Sequence, residues 1–104
     1  MGNDIETLTR RFEGEWLLRA DACMQLSPPY RPWAWIPMIE QYGAIEAAQR
    51  LVFDPGMGSG LQSLVKRGRV DLSVERAIID PRWRRLFSKE ALAAAALSLA
   101  QFSS

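Results

Sequence analysis

The stretch V-F-D-P-G-M-G-S-G-L, residues 52 to 61, decides how the chain is read. Three glycines at alternate positions behind an acid suit two structures. One is a phosphate- or nucleoside-binding loop, which must follow a buried strand and open a helix. The other is a turn between two helices, in which glycine supplies positive backbone φ and a serine caps the second helix. The flanks favour the turn. Upstream, Ile45, Ala48, Leu51 and Val52 recur at helical steps. Downstream, the 44 residues after Gly60 hold no alternating or β-branched run from which a sheet could be built. Leu61 also stands where a stricter glycine fingerprint needs its third glycine.

Working outward, the same periodicity organises the rest. Ile5, Leu8, Phe12, Trp16, Ala20, Cys23 and Leu26 predict one long N-terminal helix over about residues 4 to 26, capped by Asn3 or Asp4. Gly14 lies on its opposite face. The segment S-P-P-Y-R-P-W-A-W-I-P, residues 27 to 37, is too rich in proline for a helix and predicts an extended strap, with a short helix beginning near Trp33 or Pro37. Gly43 stops that helix and residues 44 to 53 form the next. Ser59 is the expected cap of a helix carrying Leu61, Leu64 and Val65, with Gly68 as its stop. Asp71 or Ser73 opens D-L-S-V-E-R-A-I-I-D, which ends at Asp80-Pro81. Ser88 caps an alanine-rich last helix, in which Leu92, Ala95, Ala96 and Leu99 are expected to face the core. The expectation is an all-α fold: a single domain over 1–104, built of five to seven short helices.

Composition narrows the chemistry. Of 104 residues, 48% are hydrophobic and 24% charged, the balance of an ordinary globular domain. There is no histidine and a single cysteine, Cys23, so the chain lacks an internal disulfide, the usual Cys/His zinc sites and the histidine-activated nucleophiles. Neither a metal nor a cofactor is expected, and catalysis is not expected either. The opening M-G-N-D-I-E-T-L carries no basic-then-apolar signal, and Thr7 is one place late for a myristoylation motif, so a cytoplasmic protein is expected. The run from Ala91 to Ala100 is too short to span a bilayer, which takes about 20 residues.

Four strings, G-A-I-E-A-A-Q-R-L (43–51), S-G-L-Q-S-L (59–64), G-R-V-D-L-S-V-E (68–75) and R-W-R-R-L-F-S (82–88), together resemble a family of short bacterial proteins that has no established activity. Its pattern is S-x-G-[LF]-x-x-L, G-R-[LV]-D-L-[ST]-V-E and L-F-[ST] before a last helix. The resemblance covers about residues 30 to 90 and implies a compact helical fold in which Ser59 and Gly60 begin a helix. It implies no mechanism. The last helix departs from it, being alanine and leucine where the family is Arg-rich.

Three functional classes fit these residues. The first, and the expectation adopted, is a small non-enzymatic protein-interaction module, an adaptor, inhibitor or subunit. Its candidate contact residues are Ala93, Leu97 and Ala100, a second apolar stripe on the last helix, with Tyr30 and Trp33 of the strap; its partner is another protein or a second copy. The alternative is nucleic-acid binding through two basic clusters, Lys66, Arg67 and Arg69, and Arg82, Arg84 and Arg85 around Trp83. A net charge of +1 speaks against it. The third is S-adenosylmethionine binding at residues 54–60, since the loop is similar to the first motif of methyltransferases that use that cofactor. Asp71 and Glu75, at i and i+4, are a carboxylate pair only if both lie inside one helix; helix capping and surface pairing with Arg69 or Arg76 account for them more simply.

Overall fold

The computed structural model describes residues 4–102. The described residues form six α-helices: α1 (Asp4–Met24), α2 (Trp35–Tyr42), α3 (Ala44–Phe53), α4 (Leu61–Lys66), α5 (Val74–Ile78) and α6 (Lys89–Ala100). Three 3₁₀ segments, Pro55–Met57, Val70–Leu72 and Pro81–Leu86, join them, and there is no strand among the described residues. The fold is all-α, as the periodicity predicts. Asn3, one of the two expected caps of α1, lies outside the described residues.

The stripe on α1 buries Phe12, Trp16, Ala20 and Cys23. Ile5, expected on the same stripe, is exposed. Phe12 is the centre of the interior. Its ring lies 5.8 Å from Trp16, 5.9 Å from Trp83 and 5.0 Å from Phe87, the last two edge to face, which is the preferred packing of aromatic quadrupoles. Trp16 in turn meets Trp35 at 5.6 Å. Elements far apart in sequence are thereby tied to α1.

On the other side α3 packs against α2 and α6. Many of the buried residues of α3 and α6 are small: Ala44, Ala47 and Ala48 beside Leu51 and Val52 on α3, Ala91 and Ala95 on α6. Side chains of that size let helix axes approach closely as ridges enter grooves. On α6 the inward arc is Ala91 and Ala95 with half-buried Leu92 and Leu99, while Ala96, expected inside, is exposed. Both α3 and α5 pack against α6.

Caps follow local chemistry. Ser73 Oγ accepts from the Arg76 amide at 3.1 Å and Ser88 Oγ from the Ala91 amide at 3.0 Å. For α4 the cap is Gly60, with φ of +79°, and Ser59 sits one place earlier, its hydroxyl accepting from the Leu61 amide at 3.3 Å. Asp71 falls in the 3₁₀ turn Val70–Leu72 before α5 begins, so it and Glu75 do not share a helix.

Two glycines separate backbone need from mere tolerance. Gly14 is helical and has nothing within 4 Å of where a Cβ would stand. Gly58 has φ of +119°, and a Cβ there would come 2.6 Å from the Ala34 Cβ. Gly14→Ala should raise stability by about 1 kcal/mol. Gly58→Ala should lower it by about 2 kcal/mol or more, combining positive-φ strain with a steric clash. Urea unfolding of the two variants checks both signs.

Candidate functional site

The glycine turn does not stand alone. Its backbone forms a floor on which two rings of the strap lie. A Cβ on Gly60 would collide with the Tyr30 hydroxyl, and one on Gly58 would come 3.1 Å from the Trp33 ring. Only glycine permits either approach. The C-terminal end of α6 closes the other side with Ser98, Gln101 and Phe102, leaving an open groove of about 430 Å³. No Asp, Glu, Lys or Arg lines it. Aromatic faces and neutral hydrogen-bonding groups make up its walls, the composition of a recognition groove.

Arg67 holds the strap in place. Its guanidinium donates to the Pro28 carbonyl at 2.9 Å, the Pro29 carbonyl at 3.2 Å and the Ser63 carbonyl at 2.9 Å, and lies 5.7 Å from the centre of the Tyr30 ring. Proline carbonyls with no helical partner are thus satisfied by a charged donor. The Tyr30 amide also donates to the Cys23 carbonyl at 2.9 Å, which fixes the strap to the end of α1. Trp33 is 69% exposed on the groove wall, while Trp35 takes the buried place and donates Nε1–H to the Ser59 carbonyl at 3.2 Å.

Behind the turn lies Glu75. Expected at the surface and paired with an arginine, it is instead completely buried, and neither carboxyl oxygen makes a hydrogen bond of ordinary geometry among the described residues, the Ser59 hydroxyl and its own amide being only nearby. Burial pushes the carboxyl up from its ordinary value; its own backbone amide and the Ser59 hydroxyl favour the charged form, too weakly to offset that. The Tyr30 phenol is also pushed up, by burial first and then by Cys23 and Glu75. Cys23 itself is raised to about 11 by burial, so its thiol stays protonated and unreactive in the folded chain. Residues of α1, the strap, the glycine turn and α5 therefore meet at one place. The sequence gives a faint signal for Glu75: with Val74, Ala77 and Ile78 inward on a helix of one and a half turns, position 75 borders the apolar arc.

The basic residues are divided. Arg67 clamps the strap. Arg69 pairs with Asp71 through two hydrogen bonds of 3.0 and 3.1 Å. Arg82 pairs with Asp80 at 2.9 Å and Glu15 at 3.2 Å and lies over Trp83 at 4.7 Å. Lys66, Arg84 and Arg85 have no intramolecular side-chain partner among the described residues. Trp83 is buried against Phe12, so its ring is not available to stack on a base. The two clusters do not present six unspent cations.

The chain matches no family model, no curated protein and no solved structure with which it was compared. The geometry is the sole guide to function.

Glu75 makes stability depend on pH in a definite sense. A carboxyl whose folded pKa lies above its unfolded value of about 4.3 holds its proton more tightly in the folded state. The stability it contributes is fully present below the unfolded value and is lost as pH rises through the folded one. Glu75→Gln removes that loss. Between pH 5 and pH 8 the urea midpoint of the variant should fall less than that of the wild type; equal slopes would show that Glu75 ionises freely in the fold.

Proposed function

We propose that this chain is a non-enzymatic protein-interaction module that receives a partner helix on the outer face of α6. The observation that carries this reading is Leu97, 68% exposed in the middle of a helix with no charged side chain from Ala91 to Ala100. Ala96 and Ala100 are exposed beside it, and so is Ala93 one turn earlier. Their small side chains suit a second helix packing at short distance, as Ala91 and Ala95 already do on the inner face. Gln101, one turn after Leu97, lines the groove, so the helix face and the groove that Tyr30 and Trp33 wall adjoin.

Several features support a binding role over catalysis. The groove holds no titratable side chain other than Tyr30. Cys23 and Glu75 are shut away from solvent. Among the described residues no group of three or more Cys, Asp or Glu is placed to hold a metal ion. No described helix is long and apolar enough to cross a membrane; a cytoplasmic location, with the free thiol of Cys23, accords with the same reading.

Leu97→Glu tests it. A charge at a buried contact is costly and the same charge in water is not. Light scattering should show a smaller species if the partner is a second copy, or a pull-down should lose a specific helical partner if it is another protein. Circular dichroism should stay unchanged in both cases. Unaltered size, binding and melting temperature would mean that the face is simply solvated.

A further inference from the structure

On the side of the molecule formed by α1, the 3₁₀ turn Val70–Leu72 and the end of α5 there is a second pocket, of about 390 Å³, lined by Arg19, Asp71, Arg76, Ile79, Asp80 and Pro81. Four charges of both signs would ordinarily read as a self-neutralising network. Their pairing is uneven. Asp71 takes two hydrogen bonds from Arg69, and Asp80 takes hydrogen bonds from the backbone amide and guanidinium of Arg82. The nearby cations, Arg69 and Arg82 foremost, hold both carboxyls below their ordinary values, with Arg19 a lesser contributor. Both aspartates are therefore supplied with counter-charge from outside the pair of arginines that share the pocket with them.

Arg19 and Arg76 keep most of their donors unspent. Arg19 gives one terminal N–H to the Asp71 carbonyl, which steers the guanidinium toward the pocket, while its Nε is buried without any hydrogen-bond partner. The remaining terminal N–H groups of Arg19 make no hydrogen bond among the described residues, and these are the donors that a ligand oxygen in the pocket can take. Arg76 is exposed, and its side chain has no partner among the described residues; only its backbone amide is engaged, by the Ser73 cap. Two guanidinium groups on two different helices thus border one small pocket.

We propose that this pocket binds a phosphate monoester, with Arg19 and Arg76 as the two ligating side chains. One fork satisfies a carboxylate, whose two oxygens are both used by a single bidentate pair. Two forks offer more N–H groups than one carboxylate accepts, and they match the three terminal oxygens and the double charge of a phosphate monoester. Arginine is the residue best suited to this planar recognition. The site is separate from the outer face of α6 and does not depend on the interaction reading given above. Its ligand comes either as a small free phosphate or as a phosphorylated side chain of a protein.

Amide-resolved NMR titration of the full chain distinguishes these outcomes, with inorganic phosphate, a phosphoserine peptide and the same peptide unphosphorylated as probes. Saturable shifts are expected around Arg19 and residues 71 to 80, weakening steeply as sodium chloride is added. Arg76→Gln should reduce affinity about tenfold or more, the worth of a charge-assisted bidentate contact. Arg84→Gln, which removes an equally unpaired cation elsewhere, should change nothing. Tighter binding of the phosphopeptide than of inorganic phosphate identifies a modified protein as the source; equal binding identifies a small phosphate. The proposal is overturned if no shift saturates, if the unphosphorylated peptide binds as well, or if Arg76→Gln and Arg84→Gln weaken binding alike, which marks general attraction to cations. The Arg76 side chain makes no hydrogen bond or ion pair among the described residues, so its replacement leaves the unfolding midpoint in place and the test remains readable.

Discussion

The Phe12 ring is the contact on which the arrangement depends. It touches Trp16, Trp83 and Phe87 at once, and Trp16 passes the contact to Trp35. A chain of 104 residues has little volume to bury, and rings contribute the most apolar area per residue. Concentrating them at one point allows short helices, such as the eight residues of α2, the six of α4 and the five of α5, to be held by tertiary contact when none of them is long enough to persist alone. Trp35 then extends this network outward, since its indole N–H reaches the Ser59 carbonyl. The geometry of the glycine turn is consequently set from the core.

The turn has two dependents. On its outer side Gly58 and Gly60 admit the rings of Trp33 and Tyr30, and the strap so placed makes one wall of the groove. On its inner side Glu75 sits beyond Ser59 without a hydrogen bond of ordinary geometry among the described residues. A buried acid is tolerable when it is neutral, and the upward displacement of its pKa expresses that. Arg67 provides the complementary feature on the surface, where the strap's proline carbonyls would otherwise lack donors. The groove is thus supported by one buried acid beneath it and one cation beside it, neither of which lines it.

Alanine in α6 lies on both its buried and its exposed side. Ala91 and Ala95 are buried in the helix that packs on α3 and α5, while Ala93, Ala96 and Ala100 are exposed with Leu97. A helix made only to cover a core would carry charge on its outer face. The functional reading therefore rests on composition as much as on shape. The pairing of arginines shows the same distinction in the opposite sense: Arg67, Arg69 and Arg82 are consumed by the fold, and Arg76, which looks no different in the sequence, is not.

Local features were legible in the sequence by itself: helix spacing in α1 and α3, the prolines of the strap, the stop at Gly43, the caps Ser73 and Ser88, and the outward position of Leu97 and Ala100. Each rests on interactions within a few residues, which periodicity and capping express directly. Tertiary structure decided the rest. It placed Glu75 inside, because a short helix packed on both sides buries residues flanking its apolar arc as well as those within it. It set Trp35 inward, with its ring against Trp16 and its N–H on the Ser59 carbonyl. It brought residues 30 and 33, 55 to 63 and 98 to 102 around one groove, and Arg19 beside Arg76 around another pocket. Side chains so far apart along the chain meet only because the core orients their helices, and no spacing rule reaches across that distance.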